Sequence, residues 1–191
     1  MRTPRVILIG SLLVAALALI TSPASAAPPA KLEVHLDFTD VRKERTGEFI
    51  KGYEYDFGDW SKHITNLPQR GCLVQAHSGK GGIGENNPMV EFAKYPSVLL
   101  YFVIGNANQS TSLNFSLTDS DGTEQSWNIP LEGLARGVSQ HFPLDLTKCT
   151  TETKPGKKPG MNLKKIASWQ VRGDYSDQKV EVLLVKLVSP K

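Results

Sequence analysis

Amide, hydroxyl and guanidinium side chains alternate with apolar residues along three segments of the chain. The apolar members include Phe115, Trp127 and Trp169, each flanked by polar residues on both sides. This two-residue period is that of a β-strand with one covered face, so the polar side chains between share the opposite face. The polar side chains predicted to lie on that face are Asn114, Ser116, Ser126, Asn128, Ser168, Gln170 and Arg172.

These groups suit a ligand that is rich in hydroxyls. A sugar hydroxyl both donates and accepts hydrogen bonds, and a planar amide matches a pair of neighbouring hydroxyls. The apolar face of a sugar also stacks on aromatic rings, and Tyr175 and Trp60 lie in segments predicted to be turns or loops. The alternative is that an outward sheet face is polar only because it faces water. The predicted ligand-binding residues are Asn114, Asn128, Gln170, Arg172, Tyr175 and Trp60.

Acidic residues in the first and last predicted strands suggest a calcium site. Asp37 and Asp40 lie in or just after the first strand, and Glu181 lies in the last. If the two strands pair, their carboxylate oxygens meet, and Ca²⁺ prefers such ligands. The alternative is that these are ordinary solvated carboxylates. The sequence predicts no required cofactor, and calcium would have a structural role.

The chain contains two cysteines, Cys72 and Cys149. In an exported protein they are expected to form a disulfide, which would close a loop of about 77 residues and stabilise the fold by roughly 4 kcal/mol. The alternative is two buried free thiols in a domain large enough to fold without a crosslink. Their spacing fits no zinc pattern.

No motif predicts catalysis. The glycine-rich segment Gly79–Asn87 lacks the Lys-Ser/Thr ending of a phosphate loop, and a flexible surface loop is expected there. No Gly-x-Ser-x-Gly elbow occurs, and nothing fixes two carboxylates at the separation that glycoside hydrolysis needs. The chain is therefore predicted not to be an enzyme, and no catalytic residue is assigned.

The arrangement of the apolar runs indicates an all-β fold. Val98–Ile104 is continuously apolar and Val180–Val188 nearly so, which places both strands centrally in a sheet. About eight to ten strands separated by turn residues, with no convincing amphipathic helix, predict an antiparallel β-sandwich. The last strand is expected to lie near the first.

Residues 1–26 have the basic start, apolar centre and small-residue ending of a secretory signal peptide. Residues 27–30 form a predicted linker and residues 31–191 the β-sandwich domain. Without the two signal arginines, 20 basic residues face 19 acidic ones, which gives no case for nucleic-acid binding. The cluster Lys154–Lys158 is expected to be a solvated loop. A secreted or periplasmic monomer with no membrane span after signal cleavage is predicted.

Six phrases of the sequence follow one another in an order similar to that of galactose-binding-like jelly rolls. They are LEVHLDFTD, YPSVLLYFVIG, LNFSLTDSDGTEQSWNIPL, HFPLDL, NLKKIASWQV and KVEVLLVKL. This resemblance covers most of residues 31–189 and extends to non-catalytic carbohydrate-binding modules of bacterial glycosidases. It implies a nine- or ten-stranded sandwich, often with structural calcium, and a concave sheet that binds glycans. The leading prediction is an exported carbohydrate-binding module; the alternatives are a protein-interaction or structural envelope module and a small secreted hydrolase.

Overall fold

The computed structural model describes residues 32–39, 52–88 and 90–190, which form twelve β-strands and one single-turn 3₁₀ helix at Asp59–Lys62. The predicted signal peptide and linker lie outside the described residues. No helix in this part of the chain has the length and apolar character to cross a membrane. In chain order the strands are β1 (Leu32–Asp37), β2 (Tyr55–Gly58), β3 (Ile64–Leu67), β4 (Gly71–Ala76), β5 (Gly81–Asn86), β6 (Ser97–Ile104), β7 (Ser112–Asp119), β8 (Glu124–Pro130), β9 (Ser139–Asp145), β10 (Thr151–Lys154), β11 (Ile166–Gly173) and β12 (Val180–Pro190).

The strands form two antiparallel sheets that pack as a sandwich. The first sheet has the order β3-β4-β12-β6-β9, and β1 pairs with β12 beyond the end of β4. The second sheet has the order β10-β8-β7-β11-β5-β2. The predicted all-β antiparallel sandwich is confirmed, as is the placement of the last strand beside the first.

The core lies between the sheets and is built by alternation along each strand. In β6, Val98, Leu100, Phe102 and Ile104 are buried, whereas the residues between them are partly exposed. The central position predicted for β6 and β12 is confirmed, because the two strands pair with each other and each has another neighbour. The outward side of β6 is only half covered, so its continuous apolar sequence reflects one buried face and one partly buried face.

Two tryptophans anchor the second sheet in this core, as their spacing predicted. Trp127 is 3% exposed and Trp169 is fully buried. The indole nitrogen of Trp127 donates to the main-chain oxygen of Asp145 at 2.8 Å, which joins β8 to the end of β9 in the other sheet. Trp169 meets the ring of Phe38 edge-on at 5.8 Å between centroids. The indole nitrogen of Trp169 donates to Glu85 Oε2 at 3.0 Å, so the N–H groups of both tryptophans have acceptors.

The expectation of a flexible loop at Gly79–Asn87 is wrong, because Gly81–Asn86 forms β5 between β11 and β2. The reason is steric. A Cβ atom on Gly82 or Gly84 would lie 2.6 Å from a main-chain oxygen of β11. The glycines therefore allow close approach within a sheet, which is one of the positional uses of glycine in strands.

The predicted disulfide is also wrong, because Cys72 and Cys149 are not bonded to each other. Cys72 is buried in β4 of the first sheet, opposite Leu184. Cys149 is partly buried after β9, next to Thr150, whose amide donates to Ser126 of the second sheet. Cys72 thus lies within the first sheet and Cys149 in the connection between β9 and β10, and the core is large enough to fold without a crosslink.

Two of the three predicted calcium ligands, Asp37 and Glu181, lie far apart. In the register of β12, Asp37 lies opposite Lys186 and Glu181 lies opposite Gln75. Five residues of strand separate these positions, about 17 Å at roughly 3.3 Å per residue. The Asp37 carboxylate instead accepts from the amide of Thr39, and Asp40 lies outside the described residues. The strand pairing was predicted correctly, but Asp37 and Glu181 lie too far apart to share one ion; among the described residues no group of three candidate ligands occurs.

Candidate functional site

The outward surface of the second sheet brings most of the predicted ligand-binding residues together. The register aligns Arg172 of β11 with Asn114 of β7, and Asn114 with Asn128 of β8. In the adjacent row, Gln170 is aligned with Ser116 and Ser126. Alternate residues of paired strands share one surface, so these side chains form one polar field. The term "outer face" below means this surface, defined by Tyr55, Phe57, Asn114, Ser116, Glu124, Ser126, Asn128, Gln170 and Arg172.

The two aromatic rings of the outer face belong to β2, which lies beyond β5 from the polar side chains. Gly84 lies between Gln170 and Tyr55 in the register, and Gly82 lies between Arg172 and Phe57. A Cβ atom on Gly84 would lie 2.6 Å from the Tyr55 hydroxyl, and one on Gly82 would lie 2.8 Å from the tip of the Phe57 ring. The rings therefore lean across the glycines towards β11, into space that any larger side chain would fill.

A hydrogen bond fixes the first ring against the polar field. Gln170 Nε2 donates to the Tyr55 hydroxyl at 3.1 Å, and the centroids of the Tyr55 and Phe57 rings are 6.3 Å apart. Both rings are half-buried, so part of each ring remains accessible. Tyr55 and Phe57 are outside the predicted set of ligand-binding residues. Their signal in the sequence is the two-residue spacing of the rings together with the two-residue spacing of Gly82 and Gly84.

Arg172 links the polar field to an ion pair and to a third ring. Its Nη1 atom lies 3.4 Å from Glu124 Oε1, with the two side chains only 17% and 28% exposed. Its guanidinium carbon lies 5.8 Å from the centre of the Tyr175 ring, within the range of a cation–π contact. The guanidinium is thus held in place while its N–H groups that do not face Glu124 can still donate to a ligand.

Tyr175 is presented by a turn that Asp174 organises. Tyr175 is 50% exposed and has a φ of 61°, in the left-handed region. The Asp174 carboxylate accepts from the amide and hydroxyl of Ser176 and from the hydroxyl of Ser110. Partial burial acts to raise the pKa of Asp174, but these hydrogen bonds outweigh it and hold the pKa below its ordinary value.

One predicted binding residue does not reach the outer face. Trp60 is fully buried in the 3₁₀ helix, and its Cδ1 atom lies 2.7 Å from where a Cβ on Gly81 would be. A ring with no accessible surface cannot stack on a ligand, so the prediction for Trp60 is wrong. Ser116 and Ser126 are on the expected face but only 3% and 4% exposed.

The remaining predicted residues differ in accessibility. Asn128 is exposed, whereas Asn114, Gln170 and Arg172 are partly buried. Amides and a guanidinium beside accessible rings can hydrogen-bond and stack at the same time. Glu124 is the single carboxylate among the residues that define the outer face, and it is paired with Arg172. The arrangement can therefore bind a ligand through hydrogen bonds and ring stacking.

A second group of polar side chains lies on β1 and the segment before β6. The Tyr95 hydroxyl donates to Glu33, and His35 Nε2 lies 2.8 Å from the Ser189 hydroxyl. Burial lowers the pKa of His35 and outweighs the opposing effect of Glu33. These side chains border a shallow cavity that none of the outer-face residues reaches.

Comparison with known proteins finds likeness at the level of the fold. No family model matches the chain, and no curated protein matches it. Among solved structures, an agarase, AgWH50C, is similar with a TM-score of 0.55 and 14% identity over 84% of this chain and 25% of its own. PfGH50B is similar with a TM-score of 0.47 and 16% identity over 67% of this chain and 21% of its own.

A sialidase from Trypanosoma rangeli also matches, with a TM-score of 0.38 and 13% identity over 66% of this chain and 26% of its own. The chain thus spans about a quarter or less of the length of the solved structures that it matches. At these identities the AgWH50C likeness is one of fold, and it agrees with the two-sheet sandwich described above.

Proposed function

We propose that this protein is a non-catalytic carbohydrate-binding module and that its ligand binds on the outer face. The observation that carries the proposal is the contact between Gln170 and Tyr55, which places an amide directly beside an accessible ring. A sugar needs hydrogen bonds around its edge and an apolar surface under its ring. The outer face offers both within one sheet, with Arg172 and Phe57 in the adjacent row.

Two further observations support this assignment. The order of the strand phrases resembles that of galactose-binding-like jelly rolls, many of which are carbohydrate-binding modules. The fold is similar to that of an agarase, which makes galactans the first ligands to test. A glycan-binding role also fits export, so we propose a secreted or periplasmic protein that acts as a monomer.

The chemistry of the outer face supports the non-catalytic part of the proposal. A glycosidase needs a second carboxylate about 5–10 Å from the first, to act as acid, base or nucleophile. Glu124 instead faces the guanidinium of Arg172. We therefore propose binding without turnover and expect no release of reducing ends from any glycan that binds.

The direct test is calorimetric titration of the folded protein with agarose oligosaccharides, preceded by screening on a glycan array. Tyr55→Ala and Gln170→Ala are expected to weaken binding about tenfold each, because each removes one of the paired contacts. Tyr101→Ala, on the outward side of the first sheet, is the control and should bind as wild type. Binding that is unaffected by both outer-face variants, or no binding to any glycan on the array, would overturn the proposal.

One observation favours the alternative role as an interaction module. On the outward side of the first sheet, Leu73, Leu183 and Val103 fall in one row of the register, and all three are partly exposed. A contiguous apolar patch is typical of a protein-binding surface. Leu183→Ser should then abolish association measured by light scattering, while leaving glycan titrations unchanged. A wild-type protein that stays monomeric at high concentration and binds glycans would favour the first role.

A further inference from the structure

Positive charge is concentrated in one segment of the chain, residues 148–165. This lysine segment contains six of the 22 basic residues and one of the 19 acidic residues. The rest of the chain then has 16 basic and 18 acidic residues, so the small positive net charge comes from this segment. The sequence predicted only a solvated loop here. The structure shows on which side of the sandwich this charge lies.

The lysine segment borders the outer face. It begins after β9, forms the edge strand β10 beside β8, and ends at β11. Lys154 lies opposite Glu124 in the register, and Glu124 contacts Arg172 on the outer face. Further along, the amide of Lys157 donates to Asp121 O at 3.3 Å, and Lys165 O accepts from the amide of Ser120 at 2.8 Å. These contacts fix the segment against the β7–β8 turn, at one end of the polar field.

The lysine side chains are exposed and available. Lys154, Lys157, Lys158, Lys164 and Lys165 are all exposed, and within the described ranges none of them forms an ion pair. Among the described residues the one ion pair of this segment joins Lys148, at its start, to Asp145 at 3.5 Å. Exposed cations without acidic partners repel one another, and a negatively charged ligand relieves that repulsion. A charged rim of this kind gives specificity and speeds association.

We propose that the ligand of the outer face is an anionic polysaccharide whose sulfate or carboxylate groups meet the lysine segment. This inference rests on the proposed carbohydrate-binding function and names the class of glycan. The rings and amides of the outer face would hold the sugar, and the lysines would select for its charge. The combination of rings, amides and cations favours a charged glycan over a nucleic acid, for which the balanced total charge gives little support.

The test compares glycans that differ in charge: two galactans, one neutral and one sulfated, and a chain of galacturonic acid. Neutral agarose oligosaccharides, sulfated carrageenan oligosaccharides and, as the carboxylate arm, oligogalacturonates are titrated at 20 and 300 mM NaCl. The triple variant Lys154→Gln, Lys157→Gln, Lys158→Gln should lose about tenfold in affinity for the preferred anionic glycan at low salt. It removes the three exposed ion pairs that these lysines would form with the ligand. The control Lys62→Gln, Lys94→Gln, Lys186→Gln removes the same charge elsewhere and should bind as wild type.

The outcomes separate this inference from the function on which it rests. Stronger binding of one charged glycan, weakened by salt and by the triple variant, supports the inference and tells sulfate from carboxylate. Equal, salt-independent binding of neutral and charged glycans would overturn the inference and leave carbohydrate binding intact. Binding to none of them would overturn the inference, and it would contradict carbohydrate binding itself only if the glycan array also showed no ligand. Tight binding to single-stranded DNA alone would replace the glycan with a nucleic acid.

Discussion

Gln170 and Tyr55, 115 positions apart in the chain, are joined by a 3.1 Å hydrogen bond that spans the glycine-rich strand β5. The bond is possible because Gly84 lies between them and has no side chain. The glycine, the ring and the amide thus form one unit across three strands. Removing any member should disturb the other two, which makes the unit testable without a ligand.

Replacing Gly84 by Ala should destabilise the fold by about 1–3 kcal/mol, because the new Cβ would overlap both the Tyr55 hydroxyl and Trp169 O. Urea unfolding measures this change. The control is the double variant Gly84→Ala with Tyr55→Ala, in which the ring no longer occupies the space. Its loss of stability should be smaller than the sum of the single losses. Strict additivity would contradict the placement of the ring over the glycine.

The three tryptophans should not report on glycan binding. Trp60, Trp127 and Trp169 are each 3% exposed or less, so their emission should be that of buried indoles and insensitive to iodide. Tyrosine signals should change instead when a glycan binds, because Tyr55 is partly exposed and Tyr175 is 50% exposed. The comparison is iodide quenching with and without saturating glycan. Protection of tryptophan by the glycan would show an indole platform and contradict the location of the site.

The sandwich could be predicted from the sequence because its cause is local. Phe115, Trp127 and Trp169 alternate with polar residues, and each strand keeps that alternation whatever its partners are. The alternation also predicted that Gln170 and Arg172 share a face. The central position of β6 was predicted from its continuous apolar run, and the strand does have a neighbour on each side.

The features that the sequence did not predict depend on long-range packing, and local patterns carry no information about such packing. The burial of Trp60 is set by β5 closing over the 3₁₀ helix, and no pattern around Trp60 shows it. The glycines of β5 form a pattern that is typical of a loop. Their role in a strand depends on the close approach of β11, which the local sequence does not show. The separation of Asp37 from Glu181 requires the register of β12, which the chain order alone does not determine.

The cysteines should behave as reduced thiols in the folded protein. Cys72 is fully buried and Cys149 only partly, so a thiol reagent should label Cys149 first and Cys72 only after unfolding. A reducing agent should leave the melting temperature unchanged, since it has no crosslink to break. The Cys149→Ser variant should lose the fast phase of thiol labelling and keep the slow phase, which reports Cys72. A melting temperature that falls on reduction would show that the purified protein contains a disulfide after all.

Asp174 should contribute stability that is lost in acid. Hydrogen bonds from Ser176 and Ser110 hold its pKa below the ordinary value, against the opposing effect of burial. A carboxylate whose pKa is lower in the folded than in the unfolded state stabilises the fold fully above the unfolded value, about 3.9, and ceases to do so as the pH falls through the folded value. Asp174→Asn should therefore lower the melting temperature at pH 7 and have a smaller effect at pH 3.

The matched control for this pH dependence is Asp177→Asn in the same turn, where the carboxylate is 87% exposed and pairs with Lys80. Its effect on the melting temperature should be small at both pH values, because exposed ion pairs contribute little. Asp174→Asn should also weaken glycan binding, since the turn that Asp174 organises presents Tyr175 beside Arg172. If the Asp174 variant lost as much stability at pH 3 as at pH 7, its carboxylate charge would not be the source of the stabilisation.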